Sequence, residues 1–298
     1  MQIYIDGEYY SKAEAKISVF DHGLLYGDGI FEGIRAYNGG LFRLREHMVR
    51  LYESAKTIAL DIPLPLEQLE QDVIETVRRN NLRDAYIRLI VTRGAGDLGI
   101  DPRKCAKASI IIIATSISLY PEEMYENGLS VITVPTRRNH SEMVNPRVKS
   151  LNYLNNILAK EEGNHLGYAE VVMLNSDGYV VEGSADNIFI VKNGVLITPP
   201  AFLGILKGIT REVVMELAQA MGTEVRETVF TRHDLYNADE CFFTGTGAEL
   251  IPVVEVDGRS IGTGKPGEMT KQLLAAFRKE RTETGVPIYP CCQYPSAS

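Results

Sequence analysis

The strand-like and helix-like stretches of this chain occur in blocks and do not alternate one by one. Two amphipathic helices are predicted early, over residues 44–58 and 66–77, because apolar residues recur there at steps of three and four. Strand-like runs precede and follow this pair. They are not interleaved with helices in the regular order that a doubly wound parallel sheet requires. The arrangement predicts an α+β fold.

Further elements are predicted from short apolar runs bounded by turn residues and from apolar spacings typical of helices. Asn-Ser-Asp-Gly at 175–178 and Lys-Asn-Gly at 192–194 indicate hairpin turns between strands. The predicted strands span residues 3–5, 17–20, 85–91, 109–119, 129–136, 170–174, 179–182, 187–191, 195–198, 240–244 and 253–256, and the remaining helices span 151–162, 210–221 and 269–279.

A polar segment containing Pro121 and Gly128 interrupts the pattern between two strand-rich blocks. The length of 298 residues also suits two domains of ordinary size. We therefore predict a small N-terminal α/β domain over residues 1–118, an interdomain linker over 119–128 and a larger, β-rich C-terminal domain over 129–298.

The charge balance excludes some classes of binding partner, and the cysteines indicate a cellular compartment. With 31 Lys and Arg against 39 Asp and Glu, the formal net charge is -8, and no basic block occurs, so nucleic acid and anionic membrane surfaces are poor partners. Cys105, Cys241, Cys291 and Cys292 form no CxxC motif, which is typical of a reducing compartment. The N-terminus lacks a signal-peptide pattern, and no apolar run is long enough to span a bilayer. We expect a cytoplasmic protein.

Several glycine-rich stretches resemble nucleotide-binding motifs but fail in register. Gly27, Gly29 and Glu32 place a glutamate where the third glycine of GxGxxG belongs. Arg259 and Pro266 occupy the positions that the first glycine and the magnesium-binding hydroxyl would take in a P-loop. The histidines show no metal-ligand spacing, so we expect no metal site.

Two turns have the chemistry to hold a small anion. Thr-Gly-Thr-Gly at 244–247 follows an apolar strand, and its hydroxyl and N–H groups can form an anion pocket. Lys-Gly-Ile-Thr-Arg at 207–211 places a glycine before a predicted helix, whose first N–H groups favour an anion. The plainer alternatives are a β-turn in the first case and an ordinary helix start with Thr210 as N-cap in the second.

A collinear series of short motifs extends along the chain to about residue 280. The series comprises Tyr-Gly at 26–27, Phe-Glu-Gly-Ile-Arg at 31–35, Arg50, Ala-Tyr-Ile-Arg at 85–88, Val-Lys-Ser-Leu-Asn-Tyr at 148–153, Val-Glu-Gly-Ser-Ala-Asp-Asn at 181–187, Leu-Lys-Gly-Ile-Thr-Arg at 206–211 and Phe-Thr-Gly-Thr-Gly-Ala-Glu at 243–249. Together these motifs resemble the branched-chain aminotransferases, which are fold type IV enzymes that bind pyridoxal 5′-phosphate. Both candidate anion turns fall where that family holds the cofactor phosphate.

The resemblance implies roles for a lysine, an acid and a tyrosine. Lys149 would form a Schiff base with the cofactor aldehyde and afterwards move a proton between the substrate Cα and the cofactor. Glu182 would keep the pyridine nitrogen protonated, and Tyr153 would meet the cofactor O3′. Without the resemblance, Lys149 and Glu182 are exposed charges at strand ends and Tyr153 is half-buried packing.

The resemblance also assigns the cofactor phosphate. Arg50 would be its charged partner, and the backbone N–H groups of Ile209 and Thr210 together with Thr246 would complete the site. The plain alternative for Arg50 is a solvent-facing position on its helix.

A substrate pocket is implied that accepts both an aliphatic side chain and the distal carboxylate of glutamate. Core aromatics and a structural ion pair are the plain alternatives for its members. The implied residues are Tyr86, Thr246 and Gly247 at the α-carboxylate, Phe31 and Tyr153 along the side chain, Arg88 and Tyr26 at the distal carboxylate, and Arg35 as part of the matched motif.

The implied activity is the reversible transfer of the amino group of L-leucine, L-isoleucine or L-valine to 2-oxoglutarate. D-amino acid aminotransferases, R-selective amine transaminases and aminodeoxychorismate lyases share this fold and stay open as alternatives, as does a non-catalytic binding protein. The resemblance further implies small-molecule substrates as partners and a homodimer or larger homo-oligomer.

Overall fold

The computed structural model describes residues 1–116 and 120–289, which contain helices and two separate sheets. These residues pack as two compact units. The first comprises residues 1–116, 148–151 and 280–289, and the second comprises 120–147 and 152–279. The α+β class predicted from the sequence is confirmed.

The helices and strands take the following bounds in chain order. They are β1 (Gln2–Ile5), β2 (Glu8–Ser11), α1 (His22–Tyr26), β3 (Gly29–Tyr37), β4 (Gly40–Leu41), α2 (Leu44–Thr57), α3 (Leu66–Arg79), β5 (Ala85–Thr92), β6 (Ser109–Thr115), α4 (Glu122–Asn127), β7 (Leu129–Thr133), α5 (Leu154–His165), β8 (Val171–Leu174), β9 (Val180–Glu182), β10 (Asn187–Lys192), β11 (Val195–Thr198), α6 (Ile209–Ala220), β12 (Val225–Glu227), α7 (Arg232–Tyr236), β13 (Glu240–Gly245), β14 (Glu249–Val256), β15 (Arg259–Ser260), α8 (Glu268–Glu283) and β16 (Val286–Pro287).

The first unit is built on an antiparallel sheet with the strand order β16-β4-β3-β5-β6-β1-β2. Helices α2 and α3 cover one of its faces because their apolar stripes, represented by Met48, Leu51 and Val73, pack against Ile34 and Ile112. Each such side chain contributes about 1.5 to 3 kcal/mol by leaving water. The opposite face of the sheet, at β3 and β5, carries other side chains, which include Phe31 and Arg88.

The second unit contains a ring of strands. Its sheet has the order β12-β11-β10-β13-β14-β7-β8-β9, and β9 also pairs with β10, which closes the ring. Apolar side chains such as Val172, Ile188, Phe243 and Ile251 form its core. The predicted turn at 192–194 is confirmed, since Asn193 (φ 50°) and Gly194 (φ 77°) take the left-handed conformations of a tight hairpin.

Strand β3 is absent from the predicted elements, although it lies inside the first sheet. Its sequence GIFEGIRAY is buried on both faces, with Arg35 alone of intermediate exposure. The alternation of apolar and polar residues that marks a half-exposed strand is therefore missing. Two glycines and two charges make the pattern look like a loop.

The segment that carries Lys149 adds to β3 as a short antiparallel stretch. The backbone N–H of Phe31 donates to the carbonyl of Lys149 (2.9 Å), and the N–H of Leu151 donates to the carbonyl of Gly29 (2.9 Å). Ile30 and Ser150 form the bridge between these bonds. Residues 151–153, predicted as the first helical residues, are therefore extended or irregular, and α5 begins only at Leu154.

Two other predictions are corrected. Residues 17–20 form no strand, because Val19 (70% exposed) and Phe20 (47% exposed) have no sheet face to cover. The predicted linker contains α4, and the hydroxyl of Tyr125 on this helix donates to the carbonyl of Ala248 (2.9 Å). That helix therefore packs as part of the second unit.

The two units differ from the predicted division in one further way. Lys149 was assigned to the C-terminal domain, but residues 148–151 pack with the first unit, as do residues 280–289. Residues 117–119 of the predicted strand and linker, and the C-terminal tail 290–298 with Cys291 and Cys292, lie outside the described residues. The domain boundaries themselves stay a prediction.

Gly29→Ala tests whether β3 positions the lysine segment. A Cβ at Gly29 would lie 2.7 Å from the carbonyl oxygen of Val91 and 2.7 Å from Cδ1 of Leu151. We expect overpacking of about 1 to 3 kcal/mol and faster amide hydrogen exchange at Phe31 and Leu151. Mass-spectrometric or NMR exchange measures this.

The control for that experiment is Gly99→Ala, whose Cβ would meet only the exposed side chain of Asp97. Unchanged exchange at Phe31 and Leu151 in Gly29→Ala would show that β3 does not hold the segment.

Candidate active site

Lys149 is held on the first unit by its own backbone. Besides the bonds to β3, its N–H donates to Oγ of Ser54 on α2 (3.3 Å). Its Nζ lies 4.6 Å from the centroid of the Phe31 ring, which is a cation–π distance. The predicted catalytic lysine and a predicted wall of the substrate pocket therefore lie together.

Four predicted substrate residues share one face of the first sheet. Phe31 and Arg35 are four residues apart on β3 and therefore lie on the same face of the sheet. The register pairs Arg35 with Tyr86 and Gly33 with Arg88 on β5. Arg88 lies with its Cζ 4.6 Å from the Phe31 centroid and donates through Nη2 to the Tyr86 hydroxyl (3.0 Å). The antiparallel register explains why two motifs so far apart in sequence form one surface.

Gly33 makes this arrangement possible, and the sequence argument gave it no role. A Cβ there would lie 2.3 Å from the Tyr86 hydroxyl oxygen, so a side chain would displace the tyrosine. A glycine inside a strand often marks a close approach by another group, but this signal could not be used because β3 was not predicted.

Tyr26 lies on α1, and its hydroxyl bonds a backbone carbonyl. It ends α1, is 38% exposed, and its hydroxyl donates to the carbonyl of Leu98. Its predicted pairing with Arg88 at a distal carboxylate stays a prediction.

Arg50 is buried and does not face solvent. Its Nε and Nη2 each donate to a carboxylate oxygen of Glu32 at 2.7 Å, which is a bidentate pair. Nδ1 of His47 bonds the same carboxylate at 2.7 Å. All three side chains are nearly inaccessible to solvent, with Glu32 at 0%, His47 at 1% and Arg50 at 8%. We call these residues the Glu32 cluster.

The charges within the Glu32 cluster shift its pKa values. Burial by itself would raise the pKa of Glu32, but the charge of Arg50 and the bonds from His47 and Arg50 lower it to about 2. Burial lowers the pKa of His47, and the nearby positive charges of Arg50 and Lys149 lower it further. The negative charge of Glu32 acts in the opposite direction but does not outweigh them. The resulting state is an ionised Glu32, a charged Arg50 and a neutral His47 that donates its Nδ1 hydrogen.

Sequence reasoning missed Glu32 and His47. A glutamate inside a strand that is buried on both faces requires a partner, because an unpaired buried charge is costly. Since β3 itself was not predicted, that signal could not be used.

Glu182 is buried in the second unit, so the alternative of an exposed strand-end acid is wrong. Its Oε1 accepts a bond from Nε of Arg138 (2.6 Å). Its Oε2 accepts from the backbone N–H of Leu206 (3.0 Å) and from Nδ2 of Asn187 (3.3 Å). Arg138, which the sequence argument missed, forms a buried ion pair with this carboxylate.

The start of α6 differs from the alternative that made Thr210 its N-cap. Gly208 is the N-cap, Ile209 and Thr210 are the first two helical residues, and no side chain caps their N–H groups. A Cβ at Gly208 would lie 2.0 Å from Oδ1 of Asn187, so glycine is required there. The first N–H groups thus keep the capacity to bind an anion.

The end of β13 and the turn after it contain a buried polar atom, which is unpartnered within the described residues, and two predicted binding residues. Oγ1 of Thr244 is buried and has no hydrogen-bond partner within residues 1–116 and 120–289. Thr246 and Gly247, two predicted binding residues, are half-buried, and Glu249 follows them at φ 59°. Tyr153, also half-buried, immediately precedes α5.

Two findings of absence apply to the described residues. Within them, no group of three or more His, Cys, Asp or Glu side chains could hold a metal ion. None of the helices in this part of the chain is long and apolar enough to cross a membrane.

Glu32→Gln tests the charge state of the Glu32 cluster. Folded Glu32 binds protons more weakly than the unfolded group with pKa 4.5, so its contribution to stability is complete above that pH and is lost towards pH 2. The lowered pKa of His47 has the same sign and acts below pH 6.5. We expect the unfolding free energy of Glu32→Gln to fall less steeply between pH 5 and pH 3 than that of the unchanged chain, measured by denaturant titration. Equal slopes would contradict an ionised, paired Glu32.

Known proteins resemble the chain over almost its whole length. The family model described as Amino-transferase class IV matches residues 29–256. A putative branched-chain-amino-acid aminotransferase of Methanocaldococcus jannaschii is 56% identical over 97% of this chain and 99% of its own.

Solved structures agree with this. The branched-chain aminotransferase of Thermoproteus uzoniensis with norvaline is 41% identical, with a TM-score of 0.91 over 97% of this chain and 99% of that one. The branched-chain amino acid aminotransferase of Thermobaculum terrenum in its PLP form is 30% identical, with a TM-score of 0.86 over 95% and 94%. These similarities confirm fold type IV and the expected dependence on pyridoxal 5′-phosphate. The chain belongs to the class IV aminotransferases and, within them, to the branched-chain aminotransferase family.

Proposed function

We propose that this enzyme reversibly transfers the amino group of L-leucine, L-isoleucine or L-valine to 2-oxoglutarate. The observation that carries the proposal is the sheet face on which Phe31, Tyr86 and Arg88 lie together, with Nζ of Lys149 against the same aromatic ring. An aromatic surface suits an aliphatic side chain, and a guanidinium suits the distal carboxylate of glutamate. The similarity to branched-chain aminotransferases supports the same substrates.

When bound, pyridoxal 5′-phosphate supplies an aldehyde and a ring that accepts electrons from the substrate Cα. Lys149 provides the amine that holds this group and, once a substrate amine has replaced it, the base that moves the Cα proton. The bonds of Lys149 to β3 and Ser54 fix where its side chain starts. A short path for Nζ follows from that anchoring.

Glu182 keeps the pyridine nitrogen protonated. Its carboxylate pairs with Arg138 at 2.6 Å and accepts hydrogen bonds from two further donors. A fixed negative charge favours a protonated nitrogen beside it. The buried Thr244 Oγ1, which has no hydrogen-bond partner within the described residues, and the uncapped start of α6 support the binding of a polar, anionic ligand by the second unit.

The phosphate is held by Arg50, by the N–H groups of Ile209 and Thr210, and by Thr246. Arg50 is a buried cation in a fixed orientation, and the helix N–H groups carry no side-chain cap. Tyr153 at the start of α5 meets O3′ of the cofactor.

The substrate α-carboxylate binds Tyr86 and the N–H groups around Thr246 and Gly247. Because the Tyr86 oxygen accepts a bond from Arg88, its own hydrogen is left to donate to a carboxylate. Arg35 lies on the same sheet face, with its Cζ 4.9 Å from the Tyr37 ring centroid.

We further propose a cytoplasmic homodimer or larger homo-oligomer. The cytoplasmic assignment is supported by Cys105 and Cys241, which are unpaired, as is typical of a reducing compartment.

The oligomer is supported by an apolar surface on one face of α5. Leu154, Ile157 and Leu158 on that face are 52–67% exposed, and association would cover them. Light scattering coupled to size-exclusion chromatography measures the subunit number, and a monomer at micromolar concentration would refute the oligomer.

Lys149→Ala tests the covalent role. The purified protein should be yellow and lose its colour with borohydride, and peptide mapping should place the label on Lys149. Lys149→Ala should lose turnover by about a thousandfold or more while its circular dichroism stays unchanged. The matched control is Lys12→Ala, an exposed lysine of the same unit, which should keep full activity. A colourless protein that ignores added pyridoxal 5′-phosphate would contradict the proposal.

Arg88→Leu tests how one pocket accepts two substrates. The variant removes the guanidinium but keeps an apolar side chain against Phe31, so the KM for 2-oxoglutarate should rise about tenfold or more. The half-reaction with L-leucine should change by less than about threefold, and Arg88→Lys should fall between the two. Stopped-flow spectra of the cofactor follow both half-reactions.

A native enzyme that prefers D-alanine or an R-amine to L-leucine would refute the substrate assignment.

A further inference from the structure

We propose that Glu32 and His47 are positioning residues that hold Arg50 in the orientation in which it binds the cofactor phosphate. This inference rests on the proposed phosphate role of Arg50. Neither Glu32 nor His47 needs to contact the cofactor, because each acts through the guanidinium.

The geometry of the Arg50 pair determines its orientation. Two parallel bonds of 2.7 Å from Nε and Nη2 to one carboxylate fix both the position and the plane of the guanidinium. That pair uses one edge of the guanidinium, and Nη1 belongs to the other. A phosphate oxygen that is bound through the Nη1 edge therefore meets a donor whose direction Glu32 has set.

His47 limits the movement of Glu32 in turn. Its Nδ1 bonds Oε2, the oxygen that also accepts from Nη2 of Arg50. Glu32 is on β3, while His47 and Arg50 are three residues apart on α2 and therefore share a helix face. The carboxylate is thus held between two donors from one rigid helix.

The same helix face reaches the lysine segment. Ser54 lies four residues beyond Arg50, and its Oγ accepts the backbone N–H of Lys149 (3.3 Å). The strand and helix that orient Arg50 therefore also anchor the residue that holds the cofactor covalently.

Apolar packing alone would not require these charges. A buried ion pair is seldom more stabilising than well-packed apolar side chains of the same volume. Keeping Glu32, His47 and Arg50 in the core is explained if the orientation of Arg50 serves ligand binding.

A double-mutant cycle on the dissociation constant for pyridoxal 5′-phosphate tests the inference. Apoprotein is prepared as the unchanged chain, Glu32→Gln, Arg50→Ala and the double variant, and each is titrated with the cofactor. We expect each single variant to bind about tenfold or more weakly, and the double variant to bind no more weakly than Arg50→Ala. Losses that add in the double variant would overturn the inference.

A spectroscopic signature separates positioning from general weakening of the fold. The phosphorus NMR signal of the bound cofactor should move towards that of the free cofactor in Glu32→Gln, while the KM for L-leucine at saturating cofactor stays within about twofold. Wild-type affinity together with an unchanged phosphorus signal would overturn the inference. Thermal unfolding of each apoprotein shows which variants are folded.

His47 variants decide the question if Glu32→Gln does not fold. His47→Asn keeps an N–H donor near the position of Nδ1 and should retain cofactor affinity, whereas His47→Leu should lose it. Equal affinities for these two variants would overturn the inference. The control Glu46→Gln, on the same helix in an exposed pair with Arg43, should change nothing.

The outcomes also separate this inference from the function on which it rests. If Arg50→Ala binds pyridoxal 5′-phosphate as tightly as the unchanged chain, the proposed phosphate role of Arg50 is wrong. If Arg50→Ala binds weakly but Glu32→Gln and His47→Leu bind normally, Arg50 binds phosphate without help and only the positioning roles are wrong.

Discussion

The backbone pairing between β3 and the segment 148–151 is the constraint on which the first unit's chemistry depends. Two main-chain bonds of 2.9 Å join them, and they leave room for no side chain at Gly29. One side of β3 thereby carries Phe31 towards Lys149 and Arg88, and its other side carries Glu32 into the core. The alternation of side chains along a single strand thus separates the proposed reacting surface from the buried charge of Glu32.

Glu32 and Glu182 are buried carboxylates that share one arrangement, in which each is bonded by an arginine and by further donors. Glu32 has Arg50 and His47, and Glu182 has Arg138, Asn187 and a backbone N–H. Removing a carboxylate from water costs free energy that an unpaired acid could not recover. These contacts offset that cost. Their consequence for function is rigidity, because a carboxylate with three donors cannot rotate without breaking several bonds at once.

Periodicity predicted α2 and α3 almost to the residue, since each presents one apolar stripe to a sheet and a polar face to water. It failed at β3, where burial on both faces removes any alternation, and over residues 17–20, where two apolar side chains remain exposed. The family resemblance assigned Phe31, Tyr86 and Arg88 to one site, and the strand register places these three residues on one face of the sheet. Glu32, His47 and Arg138 were missed because their significance lies in tertiary pairs that no local spacing reveals.

The contact between Arg88 and Phe31 supports the proposal that one surface accepts two kinds of side chain. A guanidinium lying on an aromatic ring keeps its donors directed along its own plane, so the ring and the aliphatic stem of the arginine stay apolar towards a bound leucine. The same donors are available when a carboxylate arrives. Tyr86 restrains Arg88 through Nη2, which limits the reorientation needed between the two substrates. Under the proposed function, the selectivity of this surface is set by a pre-formed pair of contacts.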